Sequence, residues 1–185
     1  MKLEIVCAGI GGRGVLLAST ILIEAAVAAG HGAVASDEYG MSQRGGSVIS
    51  LIKVGDFGSP LIGRENADIL IAFEESEFYR NLTFLRRGGV ALINTGRTML
   101  DDTVTGLLRE HDVAWHLLDA DGIARDKKMV QAANMAVLGY FSRLGIEPYT
   151  FANIEETIRN RVKAKLVEKN LEVFHEGWER GLASK

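Results

Sequence analysis

One stretch constrains the fold of this chain more than any other. An apolar run, Leu3 to Ala8, passes into Gly9-Ile10-Gly11-Gly12-Arg13-Gly14 and from there into a long apolar segment, Val15 to Ala29, closed by Gly30. A buried strand, a tight loop and a helix with a glycine at its end account for that order. The pattern G-x-G-x-x-G between strand and helix aims backbone N–H groups and the positive end of the helix dipole at one point, where a phosphate is well held. The same glycines also let a helix approach a sheet closely, so the loop has a ligand-binding reading and a packing reading. On the first, Gly9, Gly11, Gly12, Arg13 and Gly14 are the candidate cofactor contacts.

The strand–loop–helix order continues. Ala33 to Ser36 reads as a short second strand, Asp37 to Gly46 as a polar loop, and Ser47 to Val54 as a partly covered third strand. After the turn Gly55-Asp56-Phe57-Gly58-Ser59-Pro60 come a compact strand, Asp68 to Phe73, and a helix with an acidic start, Glu74 to Arg87. Gly89 to Asn94 and Val113 to Leu118 complete the strands, with a helix from Asp101 to His111 between them. Five or six strands separated by helices predict an α/β fold of Rossmann-like type, a mostly parallel sheet with helices on both faces. The last third carries helical spacing alone, Met129 to Leu144 and Phe151 to Gly181, the second broken near Lys163 to Val167. It forms a helical C-terminal tail that packs on the sheet or meets a partner. With 185 residues, 47% of them hydrophobic, and two prolines, the chain suits one domain spanning residues 1–185.

Charge and cysteine count narrow the function. A net charge of -3, with both signs interspersed, offers no basic stripe for a nucleic acid backbone. One cysteine, Cys7, excludes an internal disulfide, and an iron-sulfur cluster or thiolate zinc site held by this chain alone. It fits the reducing cytoplasm. The apolar segment Val15 to Ala29 follows a strand and a glycine loop, is interrupted by Glu24, and falls short of the roughly 20 residues of a membrane span. We expect no signal peptide and no membrane association.

The most unusual stretch is Glu38-Tyr39-Gly40-Met41-Ser42-Gln43-Arg44-Gly45-Gly46. Glycines permit close backbone approach, and an arginine among them can clamp a carboxylate or phosphate through paired hydrogen bonds. Arg44 is thus the candidate anchor of substrate or phosphate, and Tyr39, Gly40, Met41, Ser42, Gln43, Gly45 and Gly46 are candidate cofactor contacts. A hairpin-like connection braced by Arg44 is the plainer alternative. Glu74, Glu75 and Glu77 follow a strand, where open sheets place ligands, yet carboxylates in a first turn also oppose the helix dipole favourably. His31, His111, His116 and His175 are scattered without metal-ligand spacing, and no metal site is expected.

The glycine loop, the Glu38 to Ser47 stretch, Ser59-Pro60-Leu61-Ile62, Ala67-Asp68-Ile69-Leu70 with Glu74, Gly88-Gly89 with Asn94-Thr95, Asn134 to Gly139 and Asn170 to Gly177 together cover nearly the whole chain. They resemble the small gamma-type subunit of 2-oxoacid:ferredoxin oxidoreductases, in the pyruvate/ketoisovalerate oxidoreductase family, and within it the indolepyruvate oxidoreductase beta subunits. Arg13 departs from that pattern, where Gln is usual. The resemblance implies one subunit of a cytoplasmic hetero-oligomer that converts a 2-oxoacid, indolepyruvate or another aryl pyruvate, to an acyl-CoA and passes electrons to ferredoxin. It implies a large partner subunit holding thiamine diphosphate, Mg2+ and [4Fe-4S] clusters, with coenzyme A as co-substrate, and an isolated chain without activity. Two rival readings remain at this point. One is a free-standing NAD(P)- or nucleotide-binding protein with Asp37 or Glu38 on the ribose; the other is a non-catalytic, homodimeric binding domain.

Overall fold

A computed structural model shows how these segments assemble; it describes residues 1–39 and 45–183. Strands β1 (Leu3–Ile10), β2 (Ala33–Tyr39), β3 (Ser47–Val54), β4 (Ala67–Ala72), β5 (Leu85–Asn94) and β6 (Ala114–Leu118) form one sheet in the order β2-β3-β1-β4-β5-β6. Strands β1, β4, β5 and β6 run parallel, whereas β3 runs antiparallel to both of its neighbours, β1 and β2. The sheet is mostly parallel, as expected, with one reversed strand inserted beside β1.

Central strands need apolar side chains on both faces, because both are covered. In β1, Ile5 and Cys7 face one layer while Val6 and Ala8 face the other. The first layer holds α1 (Val15–Ala28), α4 (Ala120–Asp126), α5 (Ala133–Arg143), α6 (Phe151–Arg161) and α7 (Val167–Ala183); the second holds α2 (Glu75–Asn81) and α3 (Asp102–Glu110). Helix α1 is apolar around most of its circumference because the sheet covers one side and α6 another, where Asn153 Nδ2 donates to the Ala25 carbonyl at 2.8 Å. Leu17 and Val27 stay exposed on it. The C-terminal helices therefore build the first layer.

Several segments differ from expectation. β1 runs on through Gly9 and Ile10, which pair with Val48 and Ser47, so the loop proper is residues 11–14. β2 likewise continues to Tyr39. The helix predicted from Glu74 to Arg87 ends at Asn81; a 3-10 turn, Leu82–Phe84, follows, and β5 starts at Leu85 because Leu85 pairs with Ala67. Helix α4 has no counterpart in the sequence reading. The break in the last helical stretch lies at Val162 and Lys163, both extended, followed by a 3-10 turn Ala164–Leu166. Among the described residues no helix is long and apolar enough to cross a membrane.

Candidate functional site at the carboxyl ends of the strands

The strand order reverses next to β1, and open α/β sheets bind ligands outside the carboxyl ends of their strands at such a point. The loops after β1, β4, β5 and β6 open at this end, where β2 also ends and β3 begins. The reversed β3 brings two separated motifs together: Gly11 N–H donates to the Gly46 carbonyl at 2.8 Å, and Ser47 pairs with Ile10. A groove of about 390 Å³ lies there, lined by Ile10, Gly11, Gly12, Gly14, Val15, Leu16 and Val48.

The glycines divide by role. A Cβ on Gly9 would stand 2.6 Å from Val15 Cγ2 and 3.0 Å from Phe73 Cβ, so Gly9 serves the packing of β1 against α1 and β4. Gly14 caps α1 at φ +73° and leaves no room for a side chain beside Asn134, whose Nδ2 donates to the Gly14 carbonyl at 3.1 Å. Gly12, at φ +95°, has nothing within 4 Å of where a Cβ would be and opens outward. Gly11 has committed its N–H to Gly46. The packing reading holds at Gly9 and Gly14. Gly12 and the first turn of α1, whose N–H groups lack intrahelical acceptors, stay open beside the groove.

Arg13 turns into the molecule. Its Nε pairs with Glu74 and its Nη2 with Asp121 Oδ2 at 2.5 Å. Burial works against the guanidinium charge, but Asp121 and Glu74 more than offset it, and its pKa is raised. Asn94, at the end of β5, donates to the same Asp121 oxygen and to the Phe73 carbonyl, both at 3.1 Å, and accepts from Ala120 N–H at 2.9 Å. Asp121 carried no signal in the sequence, since it acts 108 residues from Arg13.

The carboxylates of α2 do more than oppose a dipole. Glu75 accepts from Thr95 Oγ1 at 2.5 Å and from Tyr79 OH at 2.8 Å and lies 3.4 Å from Arg97. The Thr95 hydrogen bond, with smaller help from Tyr79 and Arg97, outweighs burial and holds its carboxyl below the usual carboxylate range. Glu77 is buried and accepts from Ser47 Oγ at 2.6 Å and from Arg80 at 3.2 Å. Glu74, Glu75 and Glu77 thereby tie α2 to the loops after β1 and β5 and to the start of β3.

Of the remaining candidates, Tyr39 ends β2, and Gly45 and Gly46 lead into β3 at the groove. Gly40, Met41, Ser42, Gln43 and Arg44 lie outside the described residues. Cys7 is fully buried, and burial, with Asp37 adding to it, pushes its thiol far above the ordinary range, so it is an inert core residue. His116 is hydrogen-bonded to Tyr140 OH at 3.2 Å and its pKa is pulled down by burial, while His175 meets Glu155 at 2.8 Å. Among the described residues no group of three His, Cys, Asp or Glu side chains is placed to hold a metal ion. Asp37 does not occupy a ribose-binding position: β3 separates β2 from β1, two strand spacings or roughly 10 Å, and Ser50 Oγ donates to Asp37 at 2.6 Å.

Fold and crevice define a Rossmann-like α/β domain with a reversed strand that presses a second glycine segment onto the glycine loop. The chain belongs to the pyruvate ferredoxin/flavodoxin oxidoreductase family, whose model matches residues 4–180. It is similar to the indolepyruvate oxidoreductase subunit IorB of Archaeoglobus fulgidus, 32% identical over all of this chain and 98% of that one. The gamma subunit of a keto/oxoacid ferredoxin oxidoreductase from Geobacter sulfurreducens shares the fold with a TM-score of 0.77 at 27% identity, covering 98% of this chain and 99% of that one. A 2-oxoglutarate:ferredoxin oxidoreductase from Magnetococcus marinus, solved with 2-oxoglutarate, coenzyme A and succinyl-CoA bound, contains the same fold at a TM-score of 0.82 and 20% identity. All of this chain matches 32% of that longer one. Within the family the chain is a small subunit of a 2-oxoacid:ferredoxin oxidoreductase, an enzyme of several subunits.

Proposed function

We propose that this chain is the gamma-type subunit of a cytoplasmic oxidoreductase acting on indolepyruvate or another aryl pyruvate. It works beside a large subunit that carries thiamine diphosphate, Mg2+ and [4Fe-4S] clusters and through which electrons reach ferredoxin. Full-length likeness to an indolepyruvate oxidoreductase subunit supports the substrate class. A chain with one cysteine, buried in the core, cannot ligate a cluster, which is why the redox groups belong to the partner.

The observation that carries the role of this chain is the groove at the glycine loop, beside which Gly11 is hydrogen-bonded to Gly46 just before β3. Its ligand is coenzyme A, with phosphates at Gly12 and the first turn of α1, and Leu16 and Val48 forming the apolar wall. Arg44, from the glycine-rich stretch before β3, fixes a phosphate or the substrate carboxylate in this reading, and Tyr39, Gly40, Met41, Ser42, Gln43, Gly45 and Gly46 are its companion candidates from the same stretch of sequence. The partner's thiamine diphosphate supplies the decarboxylation chemistry; this chain positions the acyl acceptor. The test is co-purification with the large subunit, followed by 2-oxoacid- and CoA-dependent reduction of ferredoxin or a viologen dye with and without this chain. Activity is expected only in the complex. Gly11→Val is expected to raise the KM for CoA, and Arg44→Ala that for CoA or for the 2-oxoacid. Full activity of the large subunit alone would overturn the proposal.

A further inference from the structure

We propose that Arg13 is a positioning residue for the CoA step: it ties the loops around the crevice into one unit and balances the charge of two carboxylates beside the glycine loop. The inference rests on the reading that CoA meets that loop. Arg13 lies between Gly12 and Gly14, the residues that shape the loop, but its guanidinium points away from the groove into a fork, Nε to Glu74 and Nη2 to Asp121. Glu74 precedes α2, after β4; Asp121 lies in the first turn of α4, after β6. Asn94, at the end of β5, holds Asp121 Oδ2 and the Ala120 N–H. One side chain therefore links the loops following β1, β4 and β6, with β5 joined through Asn94.

The fork needs arginine. Two donors at a fixed angle reach two carboxylates at once, whereas an ammonium is a single point and a neutral amide brings no charge. Electrostatics sharpen the argument. With Arg13 in place the trio carries one net negative charge; without it, Glu74 and Asp121 would stand side by side uncompensated, next to a loop that must accept a polyanion. Each carboxylate is about a quarter to a third exposed, so their field reaches the groove and is open to screening by salt. Arg13 thus acts on CoA through the two carboxylates it neutralises.

The test uses the reconstituted complex and steady-state kinetics at low and high salt. Arg13→Gln is expected to raise the KM for CoA about tenfold at low salt, with a much smaller change in kcat, and the penalty shrinks as salt screens the exposed carboxylates. The triple variant Arg13→Gln/Glu74→Gln/Asp121→Asn is expected to recover most of that loss. Arg13→Lys, which keeps the charge, recovers part of it and serves if the glutamine variant does not assemble. A KM increase in Arg13→Gln that the triple variant does not recover would mean that Arg13 meets CoA directly or only shapes the loop, and would overturn the positioning role. An unchanged KM for CoA beside a raised one in Gly11→Val would also reject it, leaving CoA at the loop. Unchanged values in both would remove the CoA reading and this inference together.

Discussion

Thr95 shows how much the crevice owes to single polar contacts. Its hydroxyl donates to Glu75 at 2.5 Å and accepts from Arg97 N–H at 3.1 Å, so it fixes both the start of α2 and the turn after β5. Because Glu75 titrates below its unfolded value, its ionised form stabilises the fold; the contribution is complete above the usual carboxylate pKa of about 4 and is lost as pH falls through the folded value. Thr95→Val is expected to cost about 1–2 kcal/mol near neutrality. The gap to the parent protein in urea melts should narrow below about pH 4. A gap that stayed constant down to pH 3 would show that the hydroxyl matters for the turn and not for the Glu75 carboxylate. At this scale the sequence marks positions better than partners. The place of Arg13 in the loop is legible from its glycine neighbours, and Glu74 and Glu75 from the strand before them. Asp121 is not, because a salt bridge across 108 residues leaves no local pattern. The buried state of Glu77 was hidden too: a glutamate in a first turn looks solvated until Ser47 on another strand is known to cover it.

Among the elements, the pair α5 and α7 explains two blocks whose resemblance was visible without its reason. A Cβ on Gly139 would run into the Phe174 carbonyl and stand 2.9 Å from Trp178 N, and one on Gly177 would meet the Ala136 carbonyl. The two helices touch backbone to backbone, so glycine, which costs a helix about 1 kcal/mol against alanine, is kept for close approach. Gly139→Ala, favourable in an isolated helix, is here expected to destabilise by about 3 kcal/mol, read as a lowered melting temperature and a shifted urea midpoint. A stabilised variant would show that the helices part easily. Element types were largely legible, since the strands and the longer helices carry clear apolar runs. Direction was not. The apolar pattern of β3 is the same whichever way the strand runs, and its reversal follows from the short connection to β2, residues 40–46, too short for a crossover to a parallel neighbour. The helix drawn through to Arg87 failed because pairing of Leu85 with Ala67 overrides local helical spacing. Helix α4, seven residues long, offered too short a periodicity, although Asp119, which accepts from Gly122 N–H at 2.7 Å, is a cap residue of the usual kind.

In the whole molecule the sheet belongs to two cores at once. Alternate residues of β1, β3, β4 and β5 face α1, α4 and the C-terminal helices on one side and α2 and α3 on the other, so neither layer can be lost without stripping one face of the strands that support the other. A C-terminal third without strands could still be an independent helical unit docked on a smaller sheet domain, and length alone does not decide between them. The geometry favours one cooperative domain. Met135, Leu138 and Phe174 share a core with Ile5, Ile71 and Leu92 on the sheet, and Asn134 reaches the Gly14 carbonyl at the start of α1. The two tryptophans supply the experiment. Trp115 packs with the α2–α3 side, and Trp178 lies on α7 against Phe151 and Arg143. Trp115→Phe and Trp178→Phe each leave one fluorophore reporting on one layer. Under a single-domain fold the two denaturation curves, once each variant's own stability is measured by circular dichroism, coincide with that curve and give one midpoint apiece. Were α5 to α7 a separate unit, Trp178 fluorescence in the Trp115→Phe protein would change at a midpoint of its own, apart from that of Trp115 fluorescence in the Trp178→Phe protein, and the circular dichroism curve of each variant would show two steps. The same comparison bears on the proposed assembly: if the crevice meets the partner, a cooperative small subunit offers it as a preformed surface, whereas a docked helical unit would let the partner's binding energy set the position of α5 against the glycine loop.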